Sequence, residues 1–264
     1  MVLVLLPPSE SKTGPAKGPA LDIDSLAFPG LNEARRSVAR ALVDMCAEPT
    51  QSGRATARAA LGLSAGQEAE LDRNAALFVA PTGRVSTVYT GVLYRALDLP
   101  SLEPAVRRLA TNRIAVASAL FGLLRLRDRV PPYRLSAANH LPGLGSLHGV
   151  WHEPLREALI DKAPRVIVDL RSNAYAALCP IPPELADRTV VAKIWQDRGG
   201  MRTAVTHWSK HTKGLLAREL VTIPARVMSP QGVCVVAGRN MQVELRPPAA
   251  PGRPWQLDVM AADH

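Results

Sequence analysis

Cysteine, aromatic residues and lysine are all scarce in this sequence. The three cysteines, Cys46, Cys179 and Cys234, are odd in number and far apart, so they form neither a disulfide framework nor a zinc-binding spacing. That usage is typical of a reducing compartment. Aromatic residues make up only 4% of the 264 residues, whereas apolar residues make up 47%. A core of Leu, Val, Ile and Ala is therefore expected, and global disorder is excluded.

Long apolar runs are absent as well. No stretch approaches the roughly 20 apolar residues that span a bilayer. The opening run, residues 1–6, has no basic flank and stops at Pro7, so it is too short for a signal peptide. We therefore expect a cytoplasmic protein without a membrane partner.

Several motifs that define common enzyme classes are missing. The chain has no G-x-x-x-x-G-K-[ST] phosphate loop, no strand-placed G-x-G-x-x-G and no G-x-S-x-G nucleophile turn. His148 and His152 are spaced i, i+4 and could hold a metal on a helix, but only Glu153 lies beside them. We interpret them as structural or surface histidines, and we expect no bound metal and no cofactor.

The charge balance is basic and rests on arginine. Lys plus Arg is 32 and Asp plus Glu is 23, which gives a formal net charge of +9, and only 6 of the basic residues are lysines. High-GC codon usage alone produces such an arginine bias. A basic balance nevertheless favours anionic partners, namely DNA, nucleotides or phosphorylated metabolites.

The pattern of apolar residues predicts a mixed α/β fold. Residues 1–6 and 165–170 are apolar runs typical of buried strands. Further strands are predicted over residues 189–195, 201–208, 232–236 and 241–245, with a hairpin turn at 197–200. Helices are predicted over residues 31–48, 148–159 and 210–220, and residues 114–126 are expected to run from a strand into a helix.

The chain shows no internal repeat, no long linker and no regular βαβ period. We therefore predict one mixed α/β (α+β) domain over residues 1–264, with a central mixed sheet. The proline-rich tail from Arg246 is expected to be loosely ordered.

Polar residues follow the two clearest strands. Ser9 and Lys12 come directly after the first strand, where burial would turn a lysine into a nucleophile, a base or a phosphate clamp. The alternative is an ordinary solvated loop lysine. Asp169, Arg171 and Tyr175 follow the second strand, where a rigid scaffold positions side chains. An internal ion-pair network explains that second cluster equally well.

A third cluster combines cations, a carboxylate and a phenol between residues 125 and 134. It contains Arg125, Arg127, Asp128, Tyr133 and Arg134. Separately, Leu141-Pro142-Gly143-Leu144-Gly145 resembles the hairpin of a helix-hairpin-helix, whose backbone N–H groups grip a phosphate. The alternative is an ordinary Gly/Pro loop.

Taken in order, these stretches resemble the YaaA family of bacterial peroxide stress proteins. The stretches that carry the resemblance are Leu5-Leu6-Pro7-Pro8-Ser9-Glu10-Ser11-Lys12, Val88-Tyr89-Thr90-Gly91, residues 118–128 with Pro132-Tyr133-Arg134-Leu135, Trp151, residues 168–175, and residues 210–218. The chain departs from the family pattern at Phe121, where the family usually has Tyr, and at Ala174, where it often has Glu.

The resemblance implies a mixed α/β fold with a positively charged cleft. It also implies a role in protection from peroxide damage, and DNA binding through the cleft and a helix-hairpin-helix-like element. It supplies no reaction.

Two hypotheses of function follow. In the first, the protein binds DNA, and its basic groups contact phosphates; the candidates are Lys12, Arg125, Arg127, Arg134, Arg171, Lys210, Lys213 and Arg218, and Ser172 is a further candidate ligand-binding residue. In the second, the protein is an enzyme for a nucleobase, nucleoside or related small molecule, with Lys12 as nucleophile or proton carrier. The other candidate catalytic residues are Ser9, Tyr89, Tyr133 and Tyr175 as hydrogen-bonding groups, and Asp128 or Asp169, which would orient the lysine or act as the base. A scaffold role is the third alternative.

Overall fold

The computed structural model describes residues 2–162, 164–198, 201–204, 209–223 and 227–261. Its strands are β1 (Val2–Leu6), β2 (Gly83–Arg84), β3 (Ile114–Ser118), β4 (Gly122–Arg125), β5 (Arg129–Val130), β6 (His140–Leu141), β7 (Gly145–Ser146), β8 (Val166–Asp169), β9 (Thr189–Arg198), β10 (Met201–Ala204), β11 (Val243–Arg246) and β12 (Trp255–Met260). The predicted turn residues 199–200 and strand residues 205–208 lie outside this part of the chain.

The helices are α1 (Asn32–Cys46), α2 (Gln51–Leu61), α3 (Ala69–Ala75), α4 (Val85–Val88), α5 (Val92–Leu97), α6 (Pro104–Arg113), α7 (Leu147–Asp161), α8 (Asn173–Leu178), α9 (Pro183–Ala186), α10 (Ser209–Thr222) and α11 (Pro230–Ala237). Helices α5, α6 and α11 contact α10, whereas α1 contacts α2, α3 and α7. Within the described ranges, no helix is long and apolar enough to cross a membrane.

The main sheet has the strand order β11-β12-β9-β8-β1-β3-β4, and β10 pairs with the far end of β9. Strands β12, β9, β8, β1 and β3 run parallel to one another, whereas β4, β10 and β11 each pair antiparallel with a neighbour. Every residue of β1, β3 and β8 is buried, as expected for parallel strands covered on both faces. This confirms the predicted mixed α/β fold.

One hydrophobic core runs through the described chain from Val2 in β1 to Val259 in β12. The prediction of a loosely ordered tail is therefore wrong. Strand β12 lies inside the main sheet between β11 and β9, and its Leu257 and Val259 side chains are fully buried. The prolines at 247–254 indicated a loop, and the apolar residues of β12 that follow them were too few to indicate a strand.

Residues 114–126 form two antiparallel strands, not a strand and a helix. The Ser118 Oγ at the end of β3 accepts hydrogen bonds from the N–H groups of Leu120 (3.2 Å) and Phe121 (2.9 Å), which closes a tight turn. Gly122 then adopts φ +70°, and β4 returns beside β3. Because both strands are buried, their sequence shows no alternation that separates strand from helix.

The strand predicted over residues 232–236 is helix α11. The Ser229 Oγ caps this helix by accepting from the Gly232 N–H at 3.1 Å, and Pro230 occupies its first turn. A serine cap followed by proline is a helix-start signal that outweighs the short apolar run.

The helix-hairpin-helix interpretation of residues 141–145 is also wrong. These residues form the turn of a β-hairpin between β6 and β7, and α7 follows directly. Residues 126–139, all described, contain β5 and no helix. The loop therefore lacks the first helix that the motif requires.

Candidate functional site

The candidate site lies where the chain changes direction across the main sheet. After β1 the chain continues to β3 on one side, whereas after β8 it continues to β9 on the other. Strands β1 and β8 are adjacent and parallel, with Leu5 opposite Asp169. The loops that leave these two strands therefore diverge at their carboxyl ends, which is the usual position of a ligand site in such sheets. The two strand-end clusters predicted from sequence are therefore neighbours.

The loop after β1 is held rigidly against the start of α5. The Ser9 Oγ accepts a hydrogen bond from the Gly91 N–H at 2.8 Å, and the Ser9 residue is buried. A side chain at Gly91 would collide with that oxygen, because an added Cβ would lie 2.4 Å from it. The backbone of Lys12 pairs with that of Tyr89 in an isolated bridge, so the loop presents Lys12 in one place.

The Lys12 amine lies between a carbonyl and two aromatic rings. Its Nζ donates to the Ser9 carbonyl oxygen at 2.8 Å. The same atom lies 4.3 Å from the centre of the Tyr133 ring and 5.5 Å from that of Tyr89. The residue is only partly exposed, so the amine is shielded but still reachable from solvent.

Burial, with a smaller contribution from the positive charge of Arg134, lowers the pKa of the Lys12 amine to about 7. Glu70 and Glu10 oppose that effect through their negative charges. A lysine with this pKa is about half neutral at neutral pH, and the neutral form is the nucleophile and the base. The expectation of a solvated loop lysine therefore does not describe Lys12.

Behind the amine, three hydroxyl groups form a chain. The Tyr133 hydroxyl lies 2.7 Å from the Ser118 Oγ and 2.9 Å from the Tyr89 hydroxyl. Because the Ser118 Oγ already accepts two backbone N–H groups, its own hydrogen is the one donated to Tyr133. Tyr133 then donates to Tyr89. Burial raises the pKa of Tyr89 and of Tyr133 above the usual range, so both phenols stay protonated.

Tyr175 and Arg134 lie at the same site. Tyr175 is on α8, after β8; burial and the nearby Tyr133 raise its pKa, and the positive charge of Arg134 opposes that rise. The backbone of Arg134 is fixed by Asn74, which accepts from its N–H at 2.8 Å and donates to its carbonyl at 2.9 Å. Among the described residues, no ion pair or hydrogen bond engages the Arg134 guanidinium, which is half-buried.

The predicted cluster after β8 is in large part an internal ion pair. The Arg171 guanidinium donates to both Asp169 oxygens, at 2.9 and 2.7 Å, and both side chains are buried. The Lys213 Nζ donates to the Arg171 carbonyl at 3.0 Å, and burial lowers its pKa. These three groups fix the loop after β8, and their predicted role in ligand binding stays a prediction.

Other predicted residues lie away from Lys12. The Asp128 carboxylate accepts from the N–H groups of Ala27 (3.2 Å) and Arg125 (2.8 Å), so it stabilises the turn after β4. Burial raises its pKa. Among the described residues, Asp128 forms no hydrogen bond with Lys12, so the structure does not show it orienting the Lys12 amine.

Two arginines that were predicted to bind phosphate donate hydrogen bonds to backbone carbonyls of the protein instead. Arg125 donates to the Asn112 and Ile114 oxygens, both at 3.1 Å. Arg218 donates to the Leu97 and Asp98 oxygens at 2.8 and 2.6 Å. The remaining predicted ligands are exposed: Arg127, Ser172 and Lys210, the last of which lies 3.7 Å from Glu10.

Sequence reasoning missed two kinds of site residue. Ser118 is the last residue of the buried strand β3, so the strand-end position that identified Ser9 could also have identified it. Glu70 and Asn74 come from α3, which only the tertiary structure brings near Lys12 and Arg134, and no motif marks them. Within the described ranges, no group of three His, Cys, Asp or Glu residues could hold a metal ion.

The fold and the candidate site together define an α/β protein with a mostly parallel sheet. Its lysine–tyrosine site lies at the switch point, the place between β1 and β8 where the chain changes direction across the sheet. A family model described as Peroxide stress protein YaaA matches residues 2–232. A UPF0246 protein of Streptomyces coelicolor is 41% identical over 264 residues, which is 98% of each chain. A UPF0246 protein of Corynebacterium efficiens is 38% identical, covering 92% of this chain and 95% of its own. The chain therefore belongs to the YaaA peroxide stress protein family.

Proposed function

We propose that Lys12 is the centre of an active site for a nucleobase, a nucleoside or a related small molecule. In this proposal Lys12 acts as nucleophile or proton carrier. The observation that carries it is the shielded amine held between Tyr133 and Tyr89 at the switch point, with a pKa near 7. A lysine that only clamps phosphate works as a solvated cation, whereas this environment leaves about half of the Lys12 amines neutral at neutral pH.

The geometry also supports an anionic ligand. Arg134 adds a second positive group beside Lys12, and its guanidinium has no counter-ion among the described residues. Two neighbouring cations repel each other until an anion lies between or beside them. A ligand with one negatively charged group and one reactive or hydrogen-bonding group satisfies both side chains.

Ligand-induced stabilisation tests this proposal. Nucleobases, nucleosides and nucleotides are added singly to the wild-type protein, to Lys12→Ala and to Lys17→Ala, which removes an exposed lysine as a matched control. We expect at least one compound to raise the melting temperature of the wild type and of Lys17→Ala, but not that of Lys12→Ala. Equal stabilisation of all three proteins, or of none, contradicts the proposal.

DNA binding through a basic cleft is the second candidate, because the formal charge is +9 and Arg127 and Lys210 are exposed. It is less well supported, because Arg125, Arg171 and Arg218 bond to groups of the protein itself. A duplex titration over a salt series separates the candidates. Each phosphate contact adds about −0.9 to the log–log slope, so a slope near zero excludes this candidate.

The same titration of Lys12→Ala locates the contacts. A steep slope with near-normal affinity in that variant would place DNA outside the lysine loop and leave the loop for chemistry. A loss of affinity in Lys12→Ala relative to the wild type would instead place the DNA backbone beside Lys12.

A further inference from the structure

The contacts of the Lys12 amine favour a nucleophile over a proton carrier. A lysine that relays protons through the protein needs a hydrogen-bonded path from Nζ to another acid or base. Tyr133 and Tyr89 instead present their ring faces to Nζ, and their hydroxyls bond to each other and to Ser118. In the described part of the chain, Nζ has the Ser9 carbonyl as its hydrogen-bond acceptor and no carboxylate in contact. A neutral amine keeps that bond and leaves its lone pair free.

Arg134 separates the charge of the ligand from the reacting atom. Its guanidinium lies close enough to Lys12 to disfavour the ammonium form, while its own charge is available to an anion. Guanidinium groups bind carboxylate and phosphate through paired N–H donors. The substrate therefore carries an anionic group for Arg134 and an electrophilic carbon for Lys12.

A neutral amine reacts with the carbonyl group of an aldehyde or ketone without any activating group or oxidant, so a carbonyl carbon is the electrophile that we consider. We propose that the site takes a carbonyl compound bearing a phosphate or carboxylate, and that Lys12 Nζ forms an imine with its carbonyl carbon while Arg134 holds the anion. This inference rests on the proposed function, and it names the reaction and the substrate class.

The steps balance without an oxidant or a metal. The lone pair of Nζ forms a bond to the carbonyl carbon, the C=O π pair moves to oxygen, and a proton passes from nitrogen to that oxygen. The resulting hydroxyl takes a second proton from a hydronium ion of the solvent and leaves as a water molecule, which gives the protonated imine.

Borohydride trapping tests the inference directly. The probe is 2-deoxyribose 5-phosphate, whose open-chain form is a phosphorylated aldehyde, and the matched control is 2-deoxyribose, which has the same carbonyl without the anion. Borohydride supplies the hydride that converts the protonated imine to a stable secondary amine. Intact-mass measurement counts the adducts, and peptide mapping locates them.

We expect one adduct on Lys12 of the wild type. The phosphorylated sugar should be trapped about tenfold more than 2-deoxyribose, because one arginine–phosphate contact strengthens binding by about that factor. Lys17→Ala, which removes an exposed lysine that has no proposed role, should behave as wild type, and Lys12→Ala should lose the adduct. Arg134→Gln should keep some adduct but lose the preference for phosphate. Inorganic phosphate should suppress trapping in the wild type and not in Arg134→Gln.

Three results overturn the inference: no adduct, adducts spread over the exposed lysines, or an adduct on Lys12 without phosphate preference. Lys12→Arg keeps the positive charge but forms no imine, so it replaces Lys12→Ala if that variant fails to fold. Lys12-dependent stabilisation by a nucleotide without any trapped adduct would reject imine formation and leave the proposed function standing. Absence of both would reject both.

Discussion

The Lys12 amine should react with an acylating reagent at neutral pH, where ordinary lysines are almost fully protonated. Burial and the charge of Arg134 bring its pKa from 10.5 to about 7. At pH 7 about half of the Lys12 amine is neutral, against roughly one part in 3,000 for a lysine of pKa 10.5. The expected excess of reactive amine is therefore on the order of a thousandfold, before any loss from limited access.

Pulsed acylation followed by mass spectrometry measures this excess. The protein is labelled briefly at each pH from about 5 to about 10, and modification of Lys12 is compared with that of exposed Lys17 in the same molecule. The labelling rate of Lys12 should rise through a midpoint near 7 and then level off. A midpoint above about 9 in the folded protein would refute the reasoning.

Two variants check the cause of the shift. Arg134 lowers the pKa of Lys12 and Glu70 raises it, so Arg134→Gln should move the midpoint up and Glu70→Gln should move it down. Each shift should be about 0.3–1 pH unit, as for partly screened charges near the surface. Arg253→Gln, which changes an exposed residue near the end of the chain, serves as the control. Shifts in the same direction for Arg134→Gln and Glu70→Gln would contradict the electrostatic explanation.

Three further predictions concern stability, measured by denaturant unfolding. The pKa of Lys12 is lower in the folded than in the unfolded state, so its burial penalty is complete below about pH 7 and is relieved as pH rises toward 10.5. Lys12→Met should therefore gain about 1–3 kcal/mol near pH 6, and the gain should vanish near pH 10; a gain that does not depend on pH would argue against this. Gly122→Ala should lose about 2–4 kcal/mol, because φ is +70° and the added Cβ would lie 2.7 Å from the Trp151 ring; wild-type stability would show that the turn relaxes freely. Asp169→Asn should lose about 3–5 kcal/mol by leaving the buried Arg171 charge unpaired, and a loss below 1 kcal/mol would mean that water reaches that charge.

Part of the candidate site follows from the sequence. A polar residue directly after a fully apolar run lies at the end of a buried strand, and parallel strands end at one edge of a sheet. That rule placed Ser9, Lys12 and Tyr175 correctly, and it extends to Ser118. It does not extend to Asp128, because that residue follows β4, the antiparallel strand at the edge, and its carboxylate closes a turn.

The sequence did not reveal which groups accept hydrogen bonds from the arginine side chains. Composition suggested a surface for anions, yet Arg125 and Arg218 bond to backbone carbonyls. Arg35, fully buried on α1, likewise donates to the Phe121, Ala27 and Leu123 carbonyls. Guanidinium groups satisfy carbonyl oxygens as readily as phosphate oxygens, so counting arginines does not measure a binding surface.

The sequence by itself determined the central strands β1 and β8, the long helices and the polar loops at the strand ends, because each depends on local apolar runs and periodicity. Only the tertiary structure decided that the tail enters the sheet, that residues 122–125 return as a strand, and that Arg134 and Glu70 meet Lys12. These features depend on pairing and burial between segments distant in the chain. The low pKa of Lys12 belongs with them, because burial in the folded protein is its largest cause.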